Sequence, residues 1–180
     1  MSITDSTTDI TTDSTTDITT GIELNKPIVV ILMGAGADRE HCAKIAGVLA
    51  KLEVDHVQRI GSAHKTPEHV LQIIEHYESG DRPVIWVTIA GRSNALSAFV
   101  DAKVASPVIS CPPLSMPEDV WSSLRMPSDV APLVVLDPAN AGLAAAKIAA
   151  LHDPALRERV AAHKAHEASK VTAADIEIQT

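Results

Sequence analysis

Ile28-Val29-Val30-Ile31-Leu32-Met33-Gly34-Ala35-Gly36-Ala37-Asp38 is a continuous apolar, largely β-branched run that breaks at a glycine and ends on a carboxylate. Apolar runs without alternation read as strands buried on both faces. Behind the glycine-rich turn, Cys42, Ile45, Ala46, Leu49 and Leu52 recur at helical spacing and predict an amphipathic helix over residues 39–52. Strand, tight turn and helix in this order are the unit of an open parallel sheet, which forms a crevice at the carboxyl ends of its strands. Two more segments are built alike: Gly61-Ser62-Ala63-His64-Lys65-Thr66-Pro67 follows a strand-like run over 54–60, and Ala90-Gly91-Arg92-Ser93-Asn94-Ala95-Leu96-Ser97 follows another over 84–89.

The alternation continues outward. Helices are expected over 67–79 and 95–104, a strand over 107–111, a short helix over 118–125, a strand over 133–136 and an Ala-rich helix over 140–152. Such βα units predict an α/β fold, a three-layer αβα sandwich around a flavodoxin-like parallel sheet of about five strands. A last helix, expected over 154–170, is charged and Ala-rich with a weak apolar stripe (Leu156, Val160), so it buries little against its own domain. Residues 24–170 therefore read as one domain, and 171–180 as a flexible C-terminus.

Residues 1–23 differ in kind. Ile-Thr-Asp-Ser-Thr-Thr-Asp recurs with small variation, an acidic low-complexity pattern with too little apolar surface to offset the entropy of ordering it, and it is expected to be disordered. This stretch holds five acidic residues and no basic one, so of the formal charge of −8 only −3 remains for the rest. With four aromatic residues (Tyr77, Trp86, Phe99, Trp121) and no basic block, the material for stacking on bases or tracking phosphates is missing, and nucleic acid is not an expected partner. No run approaches the roughly 20 apolar residues that span a membrane. Nothing resembles a secretory or mitochondrial leader, and Cys42 and Cys111 stand too far apart in sequence to suggest a disulfide framework or zinc cluster. A reducing cytoplasm fits.

The loops carry the polar chemistry. Gly34, Ala35, Gly36, Ala37 and Asp38 open a helix, where backbone N–H groups and the helix dipole hold anions; Asp38 is either a ligand contact or the N-cap of that helix. Arg92 offers a bidentate fork to phosphate or carboxylate, and Asn94 offers a donor and an acceptor to a heterocycle edge unless Ser93 or Asn94 merely caps the next helix. Ser110, Cys111, Pro112 and Pro113 end another strand as a rigid wall. No histidine partner for Cys111 is identifiable from sequence, which favours a small buried packing residue over a nucleophile.

In order and spacing, these segments resemble the signature loops of the PurE family, which carboxylates aminoimidazole ribonucleotides in purine synthesis. Ser62-Ala63-His64-Lys65, Ala90-Gly91-Arg92-Ser93-Asn94, Cys111-Pro112-Pro113 and Val120-Trp121-Ser122-Ser123-Leu124-Arg125-Met126-Pro127 look like the class II branch, which uses CO2 directly. The resemblance runs from Pro27 to Ala165. It implies that His64 is the acid/base residue that removes a carbon-bound proton, a task suited to imidazole near neutral pH. It further implies that Lys65 holds CO2 or a carboxylate, that Asp38 holds ribose hydroxyls, and that Ala90, Gly91, Ser122 and Arg125 help complete the pocket, the last two often from a neighbouring subunit. The implied assembly is a homo-oligomer, commonly an octamer, with the C-terminal helix reaching onto a neighbour.

Two departures stand out. The family normally carries serines where this chain has Ala35 and Ala37, and the stretch from Pro113 to Val120 is shorter than in class II relatives. Three functions follow. The first is carboxylation of aminoimidazole ribonucleotide with CO2 as co-substrate and no metal, biotin or ATP. The second is recruitment to specialised nucleoside biosynthesis, with phosphoribosyl transferred from phosphoribosyl pyrophosphate to a deazapurine carboxylic acid, the only version in which Mg2+ has a place. The third is a non-catalytic nucleotide-binding or assembly protein, against which His64 and Asp38 argue.

Overall fold

The structure, a computed structural model, describes residues 25–179. The expected disordered tail, 1–23, lies outside the described residues. Strands β1 (Ile28–Met33), β2 (His56–Ile60), β3 (Val84–Ile89), β4 (Val108–Ser110) and β5 (Leu133–Val134) form one sheet in the order β2-β1-β3-β4-β5. All pairs are parallel, with Ile31 opposite Gln58 on one side and Val87 on the other. The expected flavodoxin-like α/β fold is thus the fold found.

Strand periodicity explains the three layers, because successive side chains leave a strand on opposite faces. Val29, Ile31, Met33, Ile85, Val87, Ile89 and Ile109 face one way, into a core shared with α1 (Arg39–Lys51), α5 (Pro138–Ala149) and the start of α6 (Pro154–Ile178). Val30, Leu32, Val84, Trp86 and Val108 face the other, against α2 (Pro67–Glu78) and α3 (Ala95–Asp101). A short helix α4 (Trp121–Leu124), preceded by a 3-10 turn over Pro117–Val120, lies between β4 and β5.

Helices α1 and α5 pack tightly against each other. Ala141, Ala145, Ala146 and Ala149 are buried, and a Cβ on Gly142 would stand 2.7 Å from the Ile45 carbonyl oxygen. The expected start of α5 at Asn140 is two residues late, because Asp137 accepts from Asn140 N at 2.8 Å as N-cap and Pro138 takes the first helical position. At the other end α6 continues past Lys170 to Ile178, where a flexible end had been expected. Its Val-Thr-Ala-Ala-Asp-Ile-Glu-Ile stretch contains neither glycine nor proline to stop it. Among the described residues no helix is long and apolar enough to cross a membrane.

Candidate active site

The strand order reverses at β1, which has β2 on one side and β3 on the other, and the crevice opens there as expected for such sheets. Loops following four parallel strands meet in a cleft of about 560 Å³. Its walls are Gly34, Ala35, Ala37 and Asp38 after β1; Ser62, His64 and Lys65 after β2; Ala90, Gly91, Arg92 and Ser93 after β3; and Pro113 and Ser115 after β4. That volume falls in the range of small-molecule sites, about 300–1,000 Å³. Two cations and one carboxylate face it, a charge pattern suited to an anionic ligand that also carries hydroxyls.

The first loop leaves Met33 extended and curls into a single 3-10 turn, Gly36–Asp38. Asp38 occupies the N-cap position of α1 yet makes no capping bond to that helix. Its Oδ2 turns back instead to accept from Ala35 N at 3.0 Å. Partial burial pushes the Asp38 carboxyl above its ordinary value; the Ala35 N–H and nearby His41 oppose this. A Cβ on Gly36 would meet no atom within 4 Å, so the scaffold itself does not demand glycine there.

The second loop is tightly closed. Thr66 N donates to the Ser62 carbonyl at 2.8 Å, Ser62 N donates to Thr66 Oγ1 at 3.0 Å, and Lys65 N reaches both the Ser62 carbonyl and Oγ at 3.3 Å. Pro67 then starts α2. His64 therefore stands exposed on a fixed turn, facing the cleft.

The third loop is the most constrained. Arg92 has φ 50°, in the left-handed region that non-glycine residues adopt at a cost of about 1–2 kcal/mol. Ser122 Oγ donates to the Arg92 carbonyl at 3.0 Å and accepts from Asn94 N at 3.0 Å, which holds this backbone in place. A Cβ on Gly91 would lie 2.9 Å from the Pro113 carbonyl oxygen, so glycine alone lets the third loop lie against the fourth.

Four expected site residues, Gly36, Asn94, Ser122 and Arg125, are not among the cleft-lining residues. Asn94 is 3% exposed: its Oδ1 caps α3 by accepting from Ser97 N at 3.1 Å, and its Nδ2 donates to Ser110 Oγ at 2.7 Å and Ser123 Oγ at 2.8 Å. Its amide is used up inside the protein, which matches the capping alternative rather than a heterocycle contact. Ser122 stands behind Arg92, and Arg125 is exposed beyond α4.

Sequence reasoning missed Ser115 and the side chain that places it. Asp119 Oδ2 accepts from Ser115 N and Met116 N, both at 3.1 Å. Proline at 117 with an acid two residues later is a helix-start pattern that could have revealed this. The buried hydroxyl network of Thr88, Ser97, Ser110 and Ser123 joins residues far apart in sequence and leaves no local signal. Cys111 is fully buried as expected, and burial pushes its thiol up to about 12, which removes thiolate chemistry near neutral pH. It nonetheless has a histidine neighbour, His41, with Nε2 3.2 Å from Sγ.

Comparison with known proteins places the chain in a well-populated neighbourhood. Residues 28–170 match the family described as AIR carboxylase. A phosphoribosylaminoimidazole carboxylase of Treponema denticola is 45% identical over 157 residues, covering 86% of this chain and 99% of that protein. Its counterpart of the same name from Archaeoglobus fulgidus is 50% identical over 153 residues, 83% of this chain and 84% of the other. The crystal structure of Treponema denticola PurE superposes with a TM-score of 0.83 over 86% of this chain and 99% of that one.

Proposed function

Because this chain belongs to the AIR carboxylase family, we propose that it is a phosphoribosylaminoimidazole carboxylase, joining CO2 to the ring carbon of aminoimidazole ribonucleotide in purine biosynthesis. The carrying observation is the cleft at the strand ends, where Asp38, His64, Lys65 and Arg92 converge from three loops, in a chain aligned over most of its length with relatives bearing that name.

Asp38 accepts hydrogen bonds from the ribose hydroxyls through the oxygen not engaged by Ala35 N. Arg92 and Lys65 neutralise phosphate and the developing carboxylate. With the nucleotide held, the electron-rich ring carbon attacks the carbon of CO2; a C–C bond forms, and one C=O pair moves to oxygen to give the carboxylate. The ring carbon that attacked now bears both a hydrogen and the carboxylate. His64 removes that proton, the C–H pair returns to the ring, and the proton passes to solvent from the exposed imidazole. This reading calls on no metal, biotin or ATP.

Ala35 and Ala37 line the cleft and bring no hydroxyl, so the first loop contacts an anion through the N–H groups at its 3-10 turn alone. The phosphoribosyl-transfer alternative finds no support among the relatives, which are named as carboxylases. We read the working form as a cytoplasmic homo-oligomer, an octamer by resemblance. Met116, Trp121 and Leu124, 61%, 60% and 52% exposed beside the cleft, support association.

The test is to incubate purified protein with aminoimidazole ribonucleotide and bicarbonate as CO2 source, and separately with phosphoribosyl pyrophosphate and candidate bases, reading product masses. A mass gain of one CO2 on the ribonucleotide supports the carboxylase. Nucleotide formation from the free base, without carboxylation, overturns it.

A further inference from the structure

His41 does not line the cleft, yet it joins two of its walls. It sits in the first turn of α1, one turn beyond Asp38, and its Nε2 lies 3.2 Å from Sγ of Cys111, seventy residues away. Cys111 closes β4: its N–H donates to the Thr88 carbonyl at 2.9 Å, and its thiol has a second, longer acceptor in the Leu136 carbonyl at 3.8 Å. Two residues on, Pro113 faces the cleft and supports Gly91 from behind, and Ser115 follows. The His41–Cys111 contact thus links the segment carrying Asp38 to the segment carrying Pro113 and Ser115. No other side-chain hydrogen bond among the described residues joins α1 to the end of β4.

The chemistry of the pair suits a fixed strut. Burial keeps the Cys111 sulfur a thiol, a hydrogen donor with no charge, so it neither attacks nor repels. Burial also lowers the tendency of His41 to protonate, with Lys44 acting the same way and Asp38, Asp137 and the Cys111 backbone opposing it. Neutral imidazole carries one donor and one acceptor nitrogen, so either tautomer holds the contact with the thiol.

We propose that His41 is a positioning residue: through Cys111 it fixes the spacing between the Asp38 loop and the Pro113–Ser115 wall, and so sets nucleotide affinity without touching the substrate. This rests on the carboxylase reading for the ligand's identity, though not for the mechanical link itself.

The experiment compares wild type with His41→Leu, which removes the polar ring nitrogen, and His41→Gln, whose amide reaches a similar point. Hydrogen exchange of the unliganded protein is followed by mass spectrometry, and kinetics with aminoimidazole ribonucleotide are measured alongside. His41→Leu should speed exchange both in 34–38 and in 111–116 and leave 94–101 unchanged. It should raise KM about tenfold, the worth of one lost hydrogen bond, with kcat within about twofold. His41→Gln should recover most of both effects. Exchange in 111–116 that stays at the wild-type rate in the Leu variant overturns the proposal, as does a Gln variant no better than Leu, or a loss confined to kcat. If the wild type carboxylates nothing, the functional reading falls, and the exchange arm still decides the strut.

Discussion

The hydroxyl of Ser122 spans the two ends of a strained turn: it donates to the Arg92 carbonyl and accepts from Asn94 N, each at 3.0 Å. Arg92 holds its left-handed backbone between these bonds. Strain of this kind persists where surrounding structure enforces it, and it clusters at sites that bind or react. Ser122→Ala should therefore release Arg92, lowering kcat/KM about tenfold to a hundredfold while thermal stability falls by only about 1 kcal/mol, read by steady-state kinetics and denaturant titration. Unchanged kinetics would mean that Arg92 needs no such hold.

His64→Asn should abolish turnover and leave nucleotide binding largely intact, since the side chain keeps much of its volume and loses the proton acceptor. Calorimetric titration beside a turnover assay separates the two. Turnover at the wild-type rate would remove His64 from the chemistry.

Asn94→Ala is expected to act on the fold first. It strips partners from Ser110, Ser123 and Ser97 N, all buried, and each abandoned polar group costs about 1–3 kcal/mol. A melting temperature that hardly moves would show that the buried hydroxyls re-pair among themselves.

Asp38 predicts an opposition between stability and function. Its carboxyl titrates higher in the folded chain than the ordinary 3.8, so the folded state binds more protons than the unfolded one between 3.8 and the raised value. Stability falls as pH rises through that window, and the ionised carboxylate is a stability cost above it. Asp38→Asn should thus melt no lower than wild type at pH 7, since the amide oxygen still accepts from Ala35 N, yet bind the ribonucleotide poorly. Melting scans at pH 3 and 7 with a binding titration check both halves.

Ala35→Ser with Ala37→Ser should raise carboxylase efficiency, because each new hydroxyl enters the cleft beside the N–H groups of the 3-10 turn. Two charge-assisted bonds of about 1.5 kcal/mol each correspond to roughly a hundredfold in kcat/KM. A decrease would indicate a loop shaped for a bulkier ligand.

The sheet, its strand-to-helix alternation and most of the cleft were legible in the sequence because they rest on local patterns. Apolar runs at 28–33 and 84–89 announce strands, and the loops behind them fall at strand ends by construction. What was illegible depends on long-range contacts. Asn94 offers the same amide to a heterocycle or to a core of serines, and only the positions of Ser110 and Ser123 decide between them. His41 and Cys111 belong to separate patterns, one helical and one extended, with nothing in either to point at the other. The reach of α6 to Ile178 was missed for the opposite reason: with so weak an apolar stripe, its length rests on backbone propensity more than on burial.

Two glycine-bearing loops of the cleft, those after β1 and β3, differ in how freely they can change. Between Ala35 and Ala37 the side chains are exposed, and Gly36 has open space where a Cβ would go. Substitutions there alter what the cleft recognises without disturbing what keeps the chain folded. Gly91 and Asn94, by contrast, are anchored to Pro113, Ser122 and the buried serines, so a replacement at either is felt as instability before it is felt as altered preference. Drift in ligand choice within this scaffold should accumulate in the first loop and spare Gly91 and Asn94 of the third, and Ala35 and Ala37 lie on the permissive side of that divide.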